Sequence, residues 1–169
     1  MADFRAFKAL RYNLDKTSLQ AVIAPPYDVI SPAGQDRLYK QSPLNCIRLI
    51  LNKEEPGDQE GRHRYTRARD FLQEWIQQGT IIQEESAAFY LYRQTFSDLR
   101  DGKTKTRIAV FGQLKLEPFE KGIVIPHEKT LSKPKQDRLR LLQATETNLS
   151  AVFGLYEHPD AKIRTVLNT

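Results

Sequence analysis

The run Ile125-Pro126-His127-Glu128-Lys129-Thr130-Leu131-Ser132-Lys133-Pro134-Lys135-Gln136-Asp137-Arg138 gathers one imidazole, two carboxylates, two small hydroxyls, three ammoniums and a guanidinium. It lies where a strand-like stretch gives way to a helix-like one, and the first turn of a helix presents unpaired N–H groups with about half a positive charge of dipole. Thr130 or Ser132 can cap that helix, and Lys129, Lys133, Lys135 and Arg138 surround its start. Such a place favours a phosphate or a carboxylate. The same composition also describes a solvated basic helix start with a capping hydroxyl. His127 can exchange protons near neutral pH, and Glu128 can act as a base or hold a divalent cation. On an extended chain the two point to opposite faces, so only one of them need enter a pocket.

Two other positions could contribute. Asp28 follows Pro25-Pro26-Tyr27 on a rigid turn, which can hold a carboxylate for catalysis or simply close an Asx turn. Arg48 interrupts the apolar run Cys46 to Leu51, and its charge needs solvent, a bound anion, or a partner such as Asp28, Glu128 or Asp137. Metal ligation is not expected, because His-Glu-x-x-His spacing is missing and His63 and His158 stand elsewhere. The chain also lacks a Walker-type loop, a G-x-G-x-x-G turn and a G-x-S-x-G elbow. Cys46, between Asn45 and Ile47, reads as a small core residue rather than a nucleophile.

The elements that must position these groups are legible in part. Residues 20–31 read as a short strand broken at Pro25-Pro26, and Ser31-Pro32 as the capped start of a helix reaching Gln41. The β-branched stretch Asn45 to Leu51 reads as a strand. Tyr65, Ala68, Leu72 and Trp75, joined by Phe71 and Ile76, recur at helical spacing, with Asp58 as the expected cap and Gly79 as the stop. Arg64, Arg67, Arg69 and Glu74 form its expected solvated face. Residues 87–97 and 104–117 read as a hairpin turned at Asp101-Gly102, with Ile108, Val110, Leu114 and Leu116 on one buried face. A strand at Gly122 to Ile125, a helix from Lys133 to Thr145, a strand at Ala151 to Tyr156 and a last helical segment complete the order. The expectation is one α+β domain over residues 1–169, with a mixed or antiparallel sheet and flanking helices.

Charge and composition set limits. The 169 residues carry 26 Lys and Arg against 21 Asp and Glu, a net +5, which suits an anionic metabolite better than nucleic acid. A hydrophobic content of 40% supports a real core. There is no signal-like N-terminus and no long uncharged apolar run, so a cytoplasmic protein with no membrane span is expected.

Phe4-Arg5-Ala6, Leu10-Arg11-Tyr12, Ala24-Pro25-Pro26-Tyr27-Asp28-Val29-Ile30, the segment Asn45 to Leu51, Tyr65, Phe119 and the Pro126 to Arg138 run occur in order along nearly the whole chain. In this the chain resembles the N-terminal part of the prokaryotic family called domain of unknown function 1015. Members of that family are more than twice as long, and a later Asp-Gly-His-His-Arg-Tyr motif is similar to one in ParB/sulfiredoxin-like free-serine kinases. That motif is missing from these 169 residues, so the expectation is the N-terminal portion of a longer protein. The resemblance implies phosphoryl transfer to a small metabolite, with ATP or ADP and Mg²⁺ as the implied cofactors. His127, Glu128 and Asp28 are then the catalytic candidates, and Thr130, Lys133, Lys135, Asp137, Arg138 and Arg48 the anion- or nucleotide-binding ones. A non-catalytic ligand-binding or regulatory module is the alternative, with nucleic-acid binding third.

Overall fold

A computed structural model describes residues 2–126 and 132–156, with the side chains of Ser132 and Lys133 left aside. The fold is α+β, and the chain divides into two compact units. One comprises residues 1–9, 85–127 and 151–169; the other comprises residues 10–84 and 128–150.

In the second unit, β2 (Leu10–Tyr12) pairs antiparallel with β3 (Ile81–Gln83), after β1 (Phe4–Arg5) of the first unit has begun the chain. Then come α1 (Leu19–Val22), α2 (Pro32–Gln41), α3 (Ile47–Ile50), α4 (Arg64–Gln77) and, after a long excursion, α5 (Ser132–Thr145). Helix α2 forms as its residues predict: Ser31 Oγ accepts from the Gly34 N–H at 3.1 Å, and Pro32 sits in the first turn. Helix α4 stops at a Schellman turn. Gly79 takes φ +66°, its N–H reaches the Ile76 carbonyl, and the Thr80 N–H reaches the Trp75 carbonyl at 2.8 Å.

Leu49, Leu72, Trp75 and Ile81 form the core of this unit, with Leu10, Tyr12, Leu44, Ile50, Phe71 and Leu149 packed against it. Trp75 is 2% exposed and lies between the Tyr12 and Phe71 rings. Burying an aliphatic or aromatic side chain of this kind contributes about 1.5–3 kcal/mol.

Three expectations fail here. Residues 20–31 are not a strand: α1 ends at Val22, and a one-turn 3₁₀ helix, Tyr27–Val29, follows the two prolines. Asn45 to Leu51 is not a strand but carries α3. Buried Asn45 turns the chain, its Oδ1 accepting from the Ile47 N–H at 3.0 Å while Nδ2 donates to the Ala21 and Ile23 carbonyls. That local bonding outweighs β propensity, which mostly measures fit to a sheet surface that is not offered here. Asp58 does not cap α4; His63 does. The His63 imidazole accepts from the Thr66 N–H while Thr66 Oγ1 accepts from the His63 N–H at 2.9 Å, a reciprocal box that leaves Asp58 free for another role.

In the first unit, β4 (Tyr90–Ser97) and β5 (Thr104–Phe111) pair antiparallel along their length, from Tyr90↔Phe111 to Ser97↔Thr104. The turn follows the predicted Asp101-Gly102, with Gly102 at φ +65°. Asp98, buried at the loop base, accepts from the Arg100 backbone and guanidinium and from Lys105. The long second strand predicted to reach residue 117 ends at Phe111. A Cβ on Gly112 would lie 2.5 Å from the Phe4 ring, and the chain resumes as β6 (Gln113–Leu114), paired with β1. Leu114 and Leu116 therefore leave the expected buried face and are 44% and 93% exposed. The predicted strands at 122–125 and 151–156 do not form; Gly122, at φ +62°, closes a 3₁₀ turn, and Ala151 to Tyr156 is irregular. Among the described residues the expected sheet is realised as three separate two-stranded antiparallel ladders. The predicted final helix lies outside the described residues.

Candidate functional site

Helix α5 carries Asp137 and Arg138 in its second turn, facing the start of α4 and the end of α3. The Asp137 carboxylate accepts from Arg64 Nη2 at 2.5 Å, from the Tyr65 hydroxyl at 2.7 Å and from Arg138 Nε at 3.0 Å. Arg64 Nη2 also donates to the Tyr65 hydroxyl at 2.7 Å. Arg138 Nη2 donates to the Ile50 carbonyl at 2.9 Å, and its guanidinium lies 3.9 Å from the centre of the Tyr27 ring.

The 3₁₀ turn after Pro25-Pro26, the end of α3, the first turn of α4 and the second turn of α5 thus converge on one ionic cluster. Burial pushes the Asp137 carboxyl up, but the hydrogen bonds from Arg138 and Tyr65 and the charges of Arg138 and Arg64 together hold it below its ordinary value. Arg138 Nη1 is enclosed and has no hydrogen-bond partner among the described residues. Two guanidiniums share this one central carboxylate, with Glu54, 3.3 Å from Arg64, exposed at the edge.

Arg64 and Tyr65 also line an open cleft of about 990 Å³, bordered by His63, Arg69, Arg140 and Gln143. A second gap, of about 10 Å³, lies against Leu49, Ile50, Asp137, Arg138 and Leu141. That is room for about one water molecule.

The predicted site residues separate into groups. Asp137 and Arg138 come together, and Tyr27 of the Asp28 turn joins them; Asp28 itself is exposed. Lys135 is exposed one turn earlier on α5. Arg48 belongs to a different environment: its guanidinium packs 4.2 Å from the Tyr39 ring centre and donates to the Tyr39 carbonyl at 3.1 Å. None of the ion pairs among the described residues includes it, and neither Asp28 nor Asp137 is its partner; Glu128 lies outside those residues. His127, Glu128 and Thr130 lie outside the described residues, as does the side chain of Lys133. Cys46 is half-buried, and burial pushes its thiol up, which disfavours a thiolate nucleophile.

Arg64 is the functional candidate missed in the sequence, where it reads as part of a solvated face. A signal was available. A cation in the first helical turn opposes the helix dipole, so an arginine there needs a nearby anion. Among the described residues no group of three or more His, Cys, Asp and Glu is placed to hold a metal, and no helix is long and apolar enough to cross a membrane.

The segments that meet at this cluster are among those on which the resemblance rests, and the family model described as protein of unknown function, DUF1015, matches residues 4–169. The chain belongs to this family. No curated protein and no solved structure matches it. Within this DUF1015 chain, Tyr65, Asp137, Arg138 and Tyr27 follow one another in direct contact, which brings three of the quoted motif segments to one place in the second unit.

Proposed function

We propose that this chain is the anion-binding part of a phosphotransferase-like enzyme acting on a small metabolite, with the ligand's phosphate received at the start of α5. One observation carries the reading: a double-guanidinium cluster, with one enclosed N–H lacking an acceptor, sits beside that helix start. Electrostatic stabilisation of a transferring phosphoryl group calls for fixed cations of this kind. Lys135, exposed on the same helix, is placed to meet the ligand from solvent, while Arg138 holds the helix against Tyr27 and Ile50.

The test is thermal unfolding of the chain with inorganic phosphate, ADP or ATP, each with and without Mg²⁺. Saturation at 100 times Kd stabilises a binding protein by about 2.7 kcal/mol. The expected result is stabilisation that weakens in Lys135→Ala; no stabilisation by any of these anions would refute the reading.

A second reading, a binding or regulatory module without catalysis, is favoured by the state of Asp137. Its oxygens are occupied by Arg64, Tyr65 and Arg138, so the carboxylate at the centre of the cluster is not free to accept a proton from a substrate. Nucleotide turnover by the chain in the presence of hydroxylated metabolites would exclude that alternative.

A further inference from the structure

The donors around Asp137 are themselves those of an oxyanion site: two guanidiniums and a phenol, drawn from the first turn of one helix and the second turn of another. We infer that Asp137 is a built-in stand-in for the ligand's phosphate, filling the Arg64–Tyr65–Arg138 cradle until a phosphorylated ligand entering from the cleft displaces it. This role rests on the phosphate-binding function proposed for the chain and deepens it.

Three observations carry the inference. The first is charge. The cluster brings together two guanidiniums and the central carboxylate, with only the exposed Glu54 beside Arg64 at 3.3 Å, and Arg138 Nη1 is enclosed with no acceptor among the described residues, so the donors exceed what Asp137 satisfies. A phosphate monoester brings three oxygens and up to two negative charges, and matches two guanidinium forks better than a carboxylate does.

The second is space. With Asp137 in place, the gap beside Arg138 is about 10 Å³, too small for any phosphate, so a ligand can meet all three donors together only after the carboxylate leaves.

The third is access. Arg64 and Tyr65 line both the cluster and the open cleft of about 990 Å³, so the cradle borders a volume large enough for a small phosphorylated metabolite. Asp137 is itself partly exposed, with 18% of its side chain accessible.

The exchange is anion for anion, with no bond made or broken. Internal competition of this kind weakens the affinity of the resting chain, because the ligand must first displace a paired carboxylate. Removing the carboxylate should therefore tighten binding, whereas removing a residue that contacts the ligand would loosen it.

The experiment is calorimetric titration of the full chain with inorganic phosphate, comparing wild type with Asp137→Ala and with the isosteric Asp137→Asn. The expected result is at least about tenfold tighter binding in Asp137→Ala, a smaller gain in Asp137→Asn, and loss of the gain when Arg64→Ala is added. Should Asp137→Ala not fold, Asp137→Asn alone decides the matter. Folded variants that bind phosphate no more tightly than wild type overturn the stand-in role, even if wild-type binding remains dependent on Lys135. Tighter binding in the variants with no effect of Lys135→Ala supports the cradle and refutes the helix-start reading instead.

Discussion

Tyr65 links Arg64 to the central carboxylate of the cluster, accepting from Arg64 and donating to Asp137. A hydrogen bond to a charged group contributes about 1.5–3 kcal/mol, so Tyr65→Phe should lower stability by about 2 kcal/mol in urea unfolding while preserving the ring's packing. Arg64 shows why the residue scale was only half legible in the sequence. Asp137 and Arg138 stood in a visibly ionic run, but the partners of Asp137 lie 73 and 72 positions earlier, at Arg64 and Tyr65. No local pattern reveals such a distance. Arg48 shows the converse, a residue whose need for a partner was evident and which, among the described residues, packs on the Tyr39 ring and donates to the Tyr39 carbonyl.

Among the elements, those with strong periodicity or punctuation were readable: α2 from Ser31-Pro32, α4 from its Tyr65 to Trp75 spacing and Gly79, α5, and the β4–β5 hairpin from its turn. Short apolar runs were not. The stretch Asn45 to Leu51 has strand-like composition, and its helical turn is set by Asn45 bonding to residues more than twenty positions away. The cap of α4 misled for a related reason. Asp58 is a stronger capping type than His63, but its carboxylate is engaged by Arg67, which also donates to the Lys53 carbonyl at 2.6 Å and so closes the loop before α4. Replacing His63 by Ala should cost about 1 kcal/mol, seen as a lower unfolding midpoint, and His63→Ser should restore most of it. Where β5 gives way to β6, Gly112→Ala should drive a methyl into the Phe4 ring and cost about 2 kcal/mol, with Phe4→Ala relieving the clash in a double-mutant cycle.

Across the whole molecule, two loops depend on buried or clasped carboxylates, one in each compact unit. Hydrogen bonds from Arg67 hold Asp58 down to about 2, and those from Arg100 and Lys105 hold Asp98 down to about 2. Both groups are more acidic folded than unfolded, where Asp lies near about 4. Their contribution is therefore fully present above about pH 4 and is lost as pH falls toward about 2. Urea midpoints measured across that window should drop steeply in the wild type and less so in Asp58→Asn and Asp98→Asn. The two-stranded ladders predict a further difference, because an isolated hairpin is marginally stable. Amide exchange should be faster along Leu91 to Phe96 than along Leu72 to Trp75 of α4, and equal protection would contradict this.

The partition of the chain also bears on how it is made. Phe4 of β1 pairs with Leu114 of β6, and the clasp around Asp137 ties α5 to Arg64 far upstream. At about 5–20 residues per second, a ribosome needs roughly 5–20 s to deliver the partner of the first strand. Through that interval Phe4 waits without its strand partner, and Arg64 waits longer still, until α5 is made, so a nascent chain stalled before residue 114 should be a better substrate for chaperones and proteases than one that includes α5.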